Sequence, residues 1–117
     1  MENFKALKKY FSKILLIVII LGVAYLAIFK QDTLKHQYDK AIGMYYIYKG
    51  DKALKKQELQ DAIGYYRKGL ELYPHHYNAW YNLGNIYVLY EAYFAATDAY
   101  SKAIELNSKY ILARMNL

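Results

Sequence analysis

WYNLGNIY, residues Trp80 to Tyr87, is the stretch that decides how this chain is read. Thirty-four positions before Gly84 stands Gly50, and the same offset pairs Trp80 with Tyr46. The offset also pairs Ala62 with Ala96, Tyr66 with Tyr100 and Lys68 with Lys102. Leu70, Glu71 and Leu72 fall on Ile104, Glu105 and Leu106, and Ala79, Asn82 and Leu83 fall on Ala113, Asn116 and Leu117. Because the identities sit at helical spacing, the repeated unit is a helical hairpin. Gly50, Gly84, Ala62 and Ala96 are small where two helices must cross closely, and Tyr46, Trp80, Tyr66 and Tyr100 are rings that fill the space between turns. Pro74 cannot sit inside a helix and starts the next turn. Helices are expected at about 43–56, 59–72, 77–90, 93–107 and 110–117, with 33–42 also helical through Leu34, Tyr38, Ala41 and Ile42.

Residues 77–110 resemble the tetratricopeptide repeat. Trp80, Leu83-Gly84 and Tyr87 stand as in that family's first-helix signature, and Ala96, Tyr100 and Ala103 as in its second. Residues 43–76 fit more loosely through Tyr46, Gly50, Ala62, Tyr66 and Pro74, and 111–117 fit as the opening of a third repeat. The departures are Gln57 and Glu91 where the family often has a turn glycine, Gly69 for the usual alanine and Ser108 for the closing proline. The resemblance implies an all-α, TPR-like α-solenoid over 43–117, built of antiparallel hairpins: two repeats (43–76 and 77–110) and a partial third. It implies a concave groove, lined by first helices, that takes a protein or peptide segment. Matched residue by residue, that groove is Met44, Ile47, Tyr48, Asp51, Leu54 and Lys55 with Asn78, Tyr81, Asn82, Asn85, Val88 and Leu89. Chaperone-binding members hold a peptide carboxylate with Lys and Asn where this chain has Ile47 and Asp51, so that activity is not implied.

The solenoid is preceded by a different kind of sequence. Residues 14–29, ILLIVIILGVAYLAIF, carry no charge. Sixteen helical residues span about 24 Å, and Tyr10, Phe11 and Ser12 extend them toward a hydrocarbon core of about 30 Å if Lys13 snorkels. The expected organisation is a basic flank (1–13), a transmembrane signal anchor in the bilayer (14–29), a juxtamembrane helix or linker (30–42) and the repeats. Two other readings of the run stand beside the anchor. One is a cleaved signal peptide, with Gly22 and Ala24 as small residues for the peptidase. The other is a core helix of a soluble fold. Four lysines precede the run (Lys5, Lys8, Lys9, Lys13) and three follow it (Lys30, Lys35, Lys40). The positive-inside rule therefore sets the N-terminus in the cytoplasm and the repeats outside, as a single-pass protein of the cell membrane.

Composition narrows the function. The chain has 117 residues, 56% of them hydrophobic, a net charge of +6, no Cys and sixteen Tyr. Without Cys there are no disulfides, thiolate metal sites or thiol nucleophiles. Residues 1–60 hold eleven Lys against five acids, whereas 61–117 hold five basic and five acidic residues. The excess charge thus surrounds the apolar run rather than the repeats, which fits a membrane surface and not a nucleic acid. KGDKALKK, 49–56, is a weaker candidate for binding a membrane surface or a nucleic acid, and its lysines read more simply as a solvated helix face. His36, His75 and His76 share no face with carboxylates at ligand spacing, no Gly-rich phosphate loop occurs, and no nucleophile stands by a base. No enzyme, cofactor or metal site is expected.

The leading expectation is a membrane-anchored adaptor that binds protein through its groove. The alternative is a secreted or periplasmic structural module that self-associates after cleavage of the run. The stub at 111–117 is expected to be a cut-short repeat whose open apolar face self-associates or is covered by a neighbouring chain.

Overall fold

The computed structural model describes residues 1–114. They form five helices and, among the described residues, no strand: α1 (Glu2–Lys55), α2 (Leu59–Leu72), α3 (Tyr77–Leu89), α4 (Tyr93–Leu106) and α5 (Ser108–Arg114). The chain is all-α. It divides into two units, Met1–Gln37 and Tyr38–Leu117.

The first unit is helix alone. Between Met1 and Gly43 the sequence has no proline and one glycine, Gly22, so nothing interrupts α1. Ser12 and Thr33 could compete with the helix, but each turns its hydroxyl back to a carbonyl of the preceding turn, Lys9 at 3.0 Å and Phe29 at 2.9 Å. Every residue of the apolar run is exposed, so the described residues supply no core around it. The helix is long and apolar enough to cross a membrane. The segment 30–42 is helical throughout and belongs to α1 without a break.

The second unit is built of hairpins, and two glycine-to-tyrosine contacts set their spacing. A Cβ placed on Gly50 would lie 2.8 Å from the Tyr66 ring, and one on Gly84 would lie 2.7 Å from the Tyr100 ring. Each ring therefore lies flat on bare backbone of the partner helix. Tyr66 is fully buried, as is Ala62 one turn earlier on α2. Around them pack Ile47, Ala53, Leu70, Ala79, Leu83 and Ile86, with Trp80 and Tyr87 partly covered. A second cluster of Tyr81, Ala103 and Ile111 joins α3, α4 and α5. Ala96 and Ala99 are buried on the inner side of α4.

Gly69 has a reason that its helix propensity hides. A Cβ there would meet the carbonyl oxygen of Gly43 at 2.7 Å, and one on Gly43 would meet the carbonyl oxygen of Gly69 at 2.8 Å. The two backbones touch, so the usual alanine does not fit.

Both hairpin turns close in the same way. Gln57 and Glu91 take left-handed backbone, with φ of 61° and 57°. In the first turn the Gln57 N–H donates to the Leu54 carbonyl at 3.0 Å and the Glu58 N–H to the Ala53 carbonyl at 2.9 Å. In the second the Glu91 N–H donates to Val88 at 3.0 Å and the Ala92 N–H to Tyr87 at 2.9 Å. This pair of bonds is the Schellman motif, which usually carries glycine at that position.

The other connections rely on side chains. The Nδ1 of His76 accepts the Ala79 N–H at 3.2 Å and caps α3. The Trp80 indole donates to the Pro74 carbonyl at 2.7 Å and ties α3 to the turn before it. Asn107 ends α4 and starts α5 at once, its side chain accepting the Tyr110 N–H at 3.3 Å. Helix α5 therefore begins two residues earlier than its expected start at 110. Asn116 and Leu117, which the repeat offset pairs with Asn82 and Leu83, lie outside the described residues.

Candidate functional site

The groove residues expected from the repeat resemblance divide into three groups. Asp51, Leu54 and Lys55 of α1 come together with Asn78 and Asn82 of α3 around an open depression of about 480 Å³. His76 and Arg114 complete its wall, neither of which the repeat pattern indicates. Met44, Tyr48, Val88 and Leu89, which are exposed, and the half-buried Asn85 do not line this depression. Ile47 and Tyr81 turn inward, at 2% and 9% exposure. Ile47 packs against the bare backbone of Gly69, and Tyr81 lies beside Tyr100 with ring centroids 5.8 Å apart. Both are packing residues, which corrects their expected place on the groove surface. The signal was available for Ile47: it lies a turn after Gly43 and a turn before Gly50, on the small-residue face that meets α2.

The polar residues of the groove are hydrogen-bonded to the scaffold. The Tyr66 hydroxyl donates to Asp51 at 2.6 Å and accepts from the Asn82 amide at 3.3 Å. The Tyr100 hydroxyl donates to Asn85 at 2.5 Å. Arg114 donates to Asn78 at 3.1 Å, and its guanidinium lies 4.4 Å from the Tyr81 ring centroid. Asp51 and Asn85 are again 34 positions apart, so one device occurs twice: a tyrosine lies on a glycine and hands its hydroxyl to the next residue of that helix. Of the two acceptors, Asp51 lines the depression and is thereby oriented there. An amide or carboxylate held in this way recognises a ligand without first losing rotamer freedom.

The electrostatics follow from the same contacts. Burial, and then the Asp51 carboxylate, push the Tyr66 hydroxyl well above the ordinary tyrosine range. Burial raises Tyr100 as well, with Tyr81 adding to it. Both therefore stay neutral hydroxyl donors. Tyr46 moves the other way, lowered by the adjacent Lys68 ammonium. The Lys68 ammonium lies 4.4 Å from the Tyr46 ring centroid, and Lys102 lies 4.5 Å from that of Trp80. These pairs are repeat equivalents too, so the lysines that recur at this offset are ring-stacked cations.

A second depression, of about 760 Å³, lies between α2 and α4 over α3. Trp80, Leu83 and Tyr87 lie at its base, and Arg67, Lys68, Glu71, Asp98 and Lys102 carry charge around it. Lys102 pairs with Asp98 at 2.8 Å. Sequence reasoning missed this depression, because the repeat resemblance directs attention to first helices. Gly64, which helps to line it, has open space where a side chain would be.

Compared with known proteins, no family model matches the chain. Over 71 residues it is 34% identical to the cell division cycle protein 27 homolog of Caenorhabditis elegans. That stretch is 61% of this chain and 9% of that protein. The chain thus spans about a tenth of the relative it matches. Together with the duplicated hairpins, this distant similarity supports TPR-like helical repeats.

Proposed function

We propose that this protein is a membrane-anchored adaptor without enzymatic activity, whose TPR-like repeats bind a protein segment in the groove between α1 and α3. One observation carries the reading. Five residues expected in a peptide groove, from two different helices, converge on a single open depression in which Asp51 and Asn82 are already oriented by Tyr66. A concave, mostly preformed site with a few fixed polar groups is what segment recognition needs. The similarity to a relative with repeats of this kind points to protein partners. The exposed apolar run supports the anchor, and the lysine balance favours repeats outside the cytoplasm.

The groove is tested by panning a random peptide library against the full chain in detergent and titrating a selected peptide. Leu54→Glu should weaken binding by about tenfold, the equivalent of about 1.4 kcal/mol. Glu105→Ala, on the outer side of α4, should leave it unchanged. Peptides that bind Leu54→Glu as well as the wild type would remove the groove from consideration. For the anchor, the intact protein should stay in carbonate-washed membranes, and its recovery in the wash would overturn that part. A reporter fused after Leu117 should be active only outside the cytoplasm, and cytoplasmic activity would reverse the topology.

A further inference from the structure

Helix α1 is apolar on two opposite sides within the second unit. One side, Gly43, Ile47 and Gly50, is buried against α2. At about 100° per residue, Tyr38, Ala41, Tyr45 and Tyr48 lie on the opposite side. All four are exposed, with Tyr38, Tyr45 and Tyr48 at 66%, 54% and 55%. A repeat needs only its inner face, so the fold does not account for the outer one.

The spacing identifies the kind of partner. Leu34, Tyr38, Ala41, Tyr45 and Tyr48 are separated by four, three, four and three residues. That alternation is the seam that a second helix of matching pitch reads, knob into hole. In the sequence the alternation runs back through Gln31, Ala27, Ala24, Ile20 and Ile17. An average of 3.5 residues over so many turns drifts steadily from a straight helix and favours a left-handed supercoil. Of the three small residues inside the apolar run, Gly22 lies off the stripe, and Ala24 and Ala27 lie on it, where they let spanning helices approach closely. The charged residues between Lys30 and Asp51 all lie off the stripe.

We infer that the outer stripe of α1 pairs with the same stripe of a second copy of this chain, as a parallel two-helix seam. The parallel sense rests on the anchor reading above: copies held by the same span enter the membrane in the same direction. Lys30 and Lys35 flank the seam and face their counterparts across it. Their repulsion is screened by salt, so pairing tightens as ionic strength rises.

The test uses the absence of cysteine from the full chain. Ala41→Cys places one thiol on the seam, and Lys40→Cys places one on an exposed side off it. Each variant is expressed in membranes and mildly oxidised, and disulfide-linked dimer is measured on a gel. Ala41→Cys should give several times more dimer than Lys40→Cys, and more in high salt than in low. Adding Tyr38→Lys and Tyr45→Lys to Ala41→Cys should cut the yield about tenfold by placing like charges across the seam, with helical content unchanged by circular dichroism. Equal linkage of the two cysteine variants, or no linkage in either, would overturn the pairing. Carbonate washing of the same samples keeps the two claims apart. Integral protein that does not link at position 41 defeats the pairing alone, and linked protein in the wash defeats the anchor alone.

Discussion

The turn after α1 and the turn after α3 have the same backbone and different side chains. Leu54, Lys55, Lys56, Gln57, Glu58, Leu59 and Gln60 in the first become Val88, Leu89, Tyr90, Glu91, Ala92, Tyr93 and Phe94 in the second. The left-handed residue and both Schellman hydrogen bonds are nevertheless preserved. One turn is a charged tip, whereas the other exposes Leu89, Tyr93 and a Phe94 that is 97% accessible. Behind the turns, the interior barely changes: glycine under tyrosine, tyrosine hydroxyl to Asp51 or Asn85, buried alanine beside it. The hairpin is therefore specified by its small interior residues and two rings. The residues at its tip are free to take on other chemistry.

The strongest challenge to that equivalence is to remove the rings. Tyr66→Ala should cost about 3–5 kcal/mol by analogy with other buried aromatics, and Tyr100→Ala less, because Tyr66 is fully buried and Tyr100 only partly so. Urea unfolding of both variants measures the difference. Equal losses would mean that the two rings carry equal packing despite their unequal burial.

A smaller effect should come from the floor beneath each ring. Gly50→Ala and Gly84→Ala both push a methyl group into a tyrosine ring at under 3 Å. Overpacking of this kind costs about 1–3 kcal/mol, partly offset by the gain of about 1 kcal/mol in helix propensity. Both variants should be destabilised, by similar amounts. A stabilised Gly84→Ala would show that the second hairpin can open to admit the methyl.

Most of this interior could be read from the sequence. The 34-residue offset located Gly50, Gly84, Ala62, Ala96, Tyr66 and Tyr100 because each position admits few residue types. The expected helix at 59–72 coincides with α2, and those at 77–90 and 93–107 end one residue beyond α3 and α4. What the sequence concealed were contacts without a repeat counterpart. Gly43 against Gly69 is one, since the equivalent positions in the second hairpin are Tyr77 and Ala103. The lining of the smaller depression was partly legible. Asp51, Leu54, Lys55, Asn78 and Asn82 followed from the pattern, but His76 and Arg114 enter it from a cap and from a neighbouring helix. The scaffold bonds of its polar residues also lay hidden, because a residue type does not reveal which of its hydrogen-bonding groups are already in use.

The smallest expected effect is at the turns themselves. A non-glycine residue in left-handed backbone costs about 1–2 kcal/mol. Gln57→Gly and Glu91→Gly should each recover part of that and raise the denaturation midpoint, by matching amounts if the turns are energetically as alike as they are geometrically. A gain at Glu91 alone would reveal strain specific to the aromatic tip.

Trp80 has a further use. It is the only tryptophan in a chain with sixteen tyrosines, and its indole is fixed between the Pro74 carbonyl and the Lys102 ammonium. Light absorbed by the many tyrosines of the repeats can drain by resonance transfer to that single acceptor. Its emission therefore reports on the joint between consecutive hairpins. A ligand that shifts one hairpin against the next there would change the colour and intensity of the fluorescence without any label being attached.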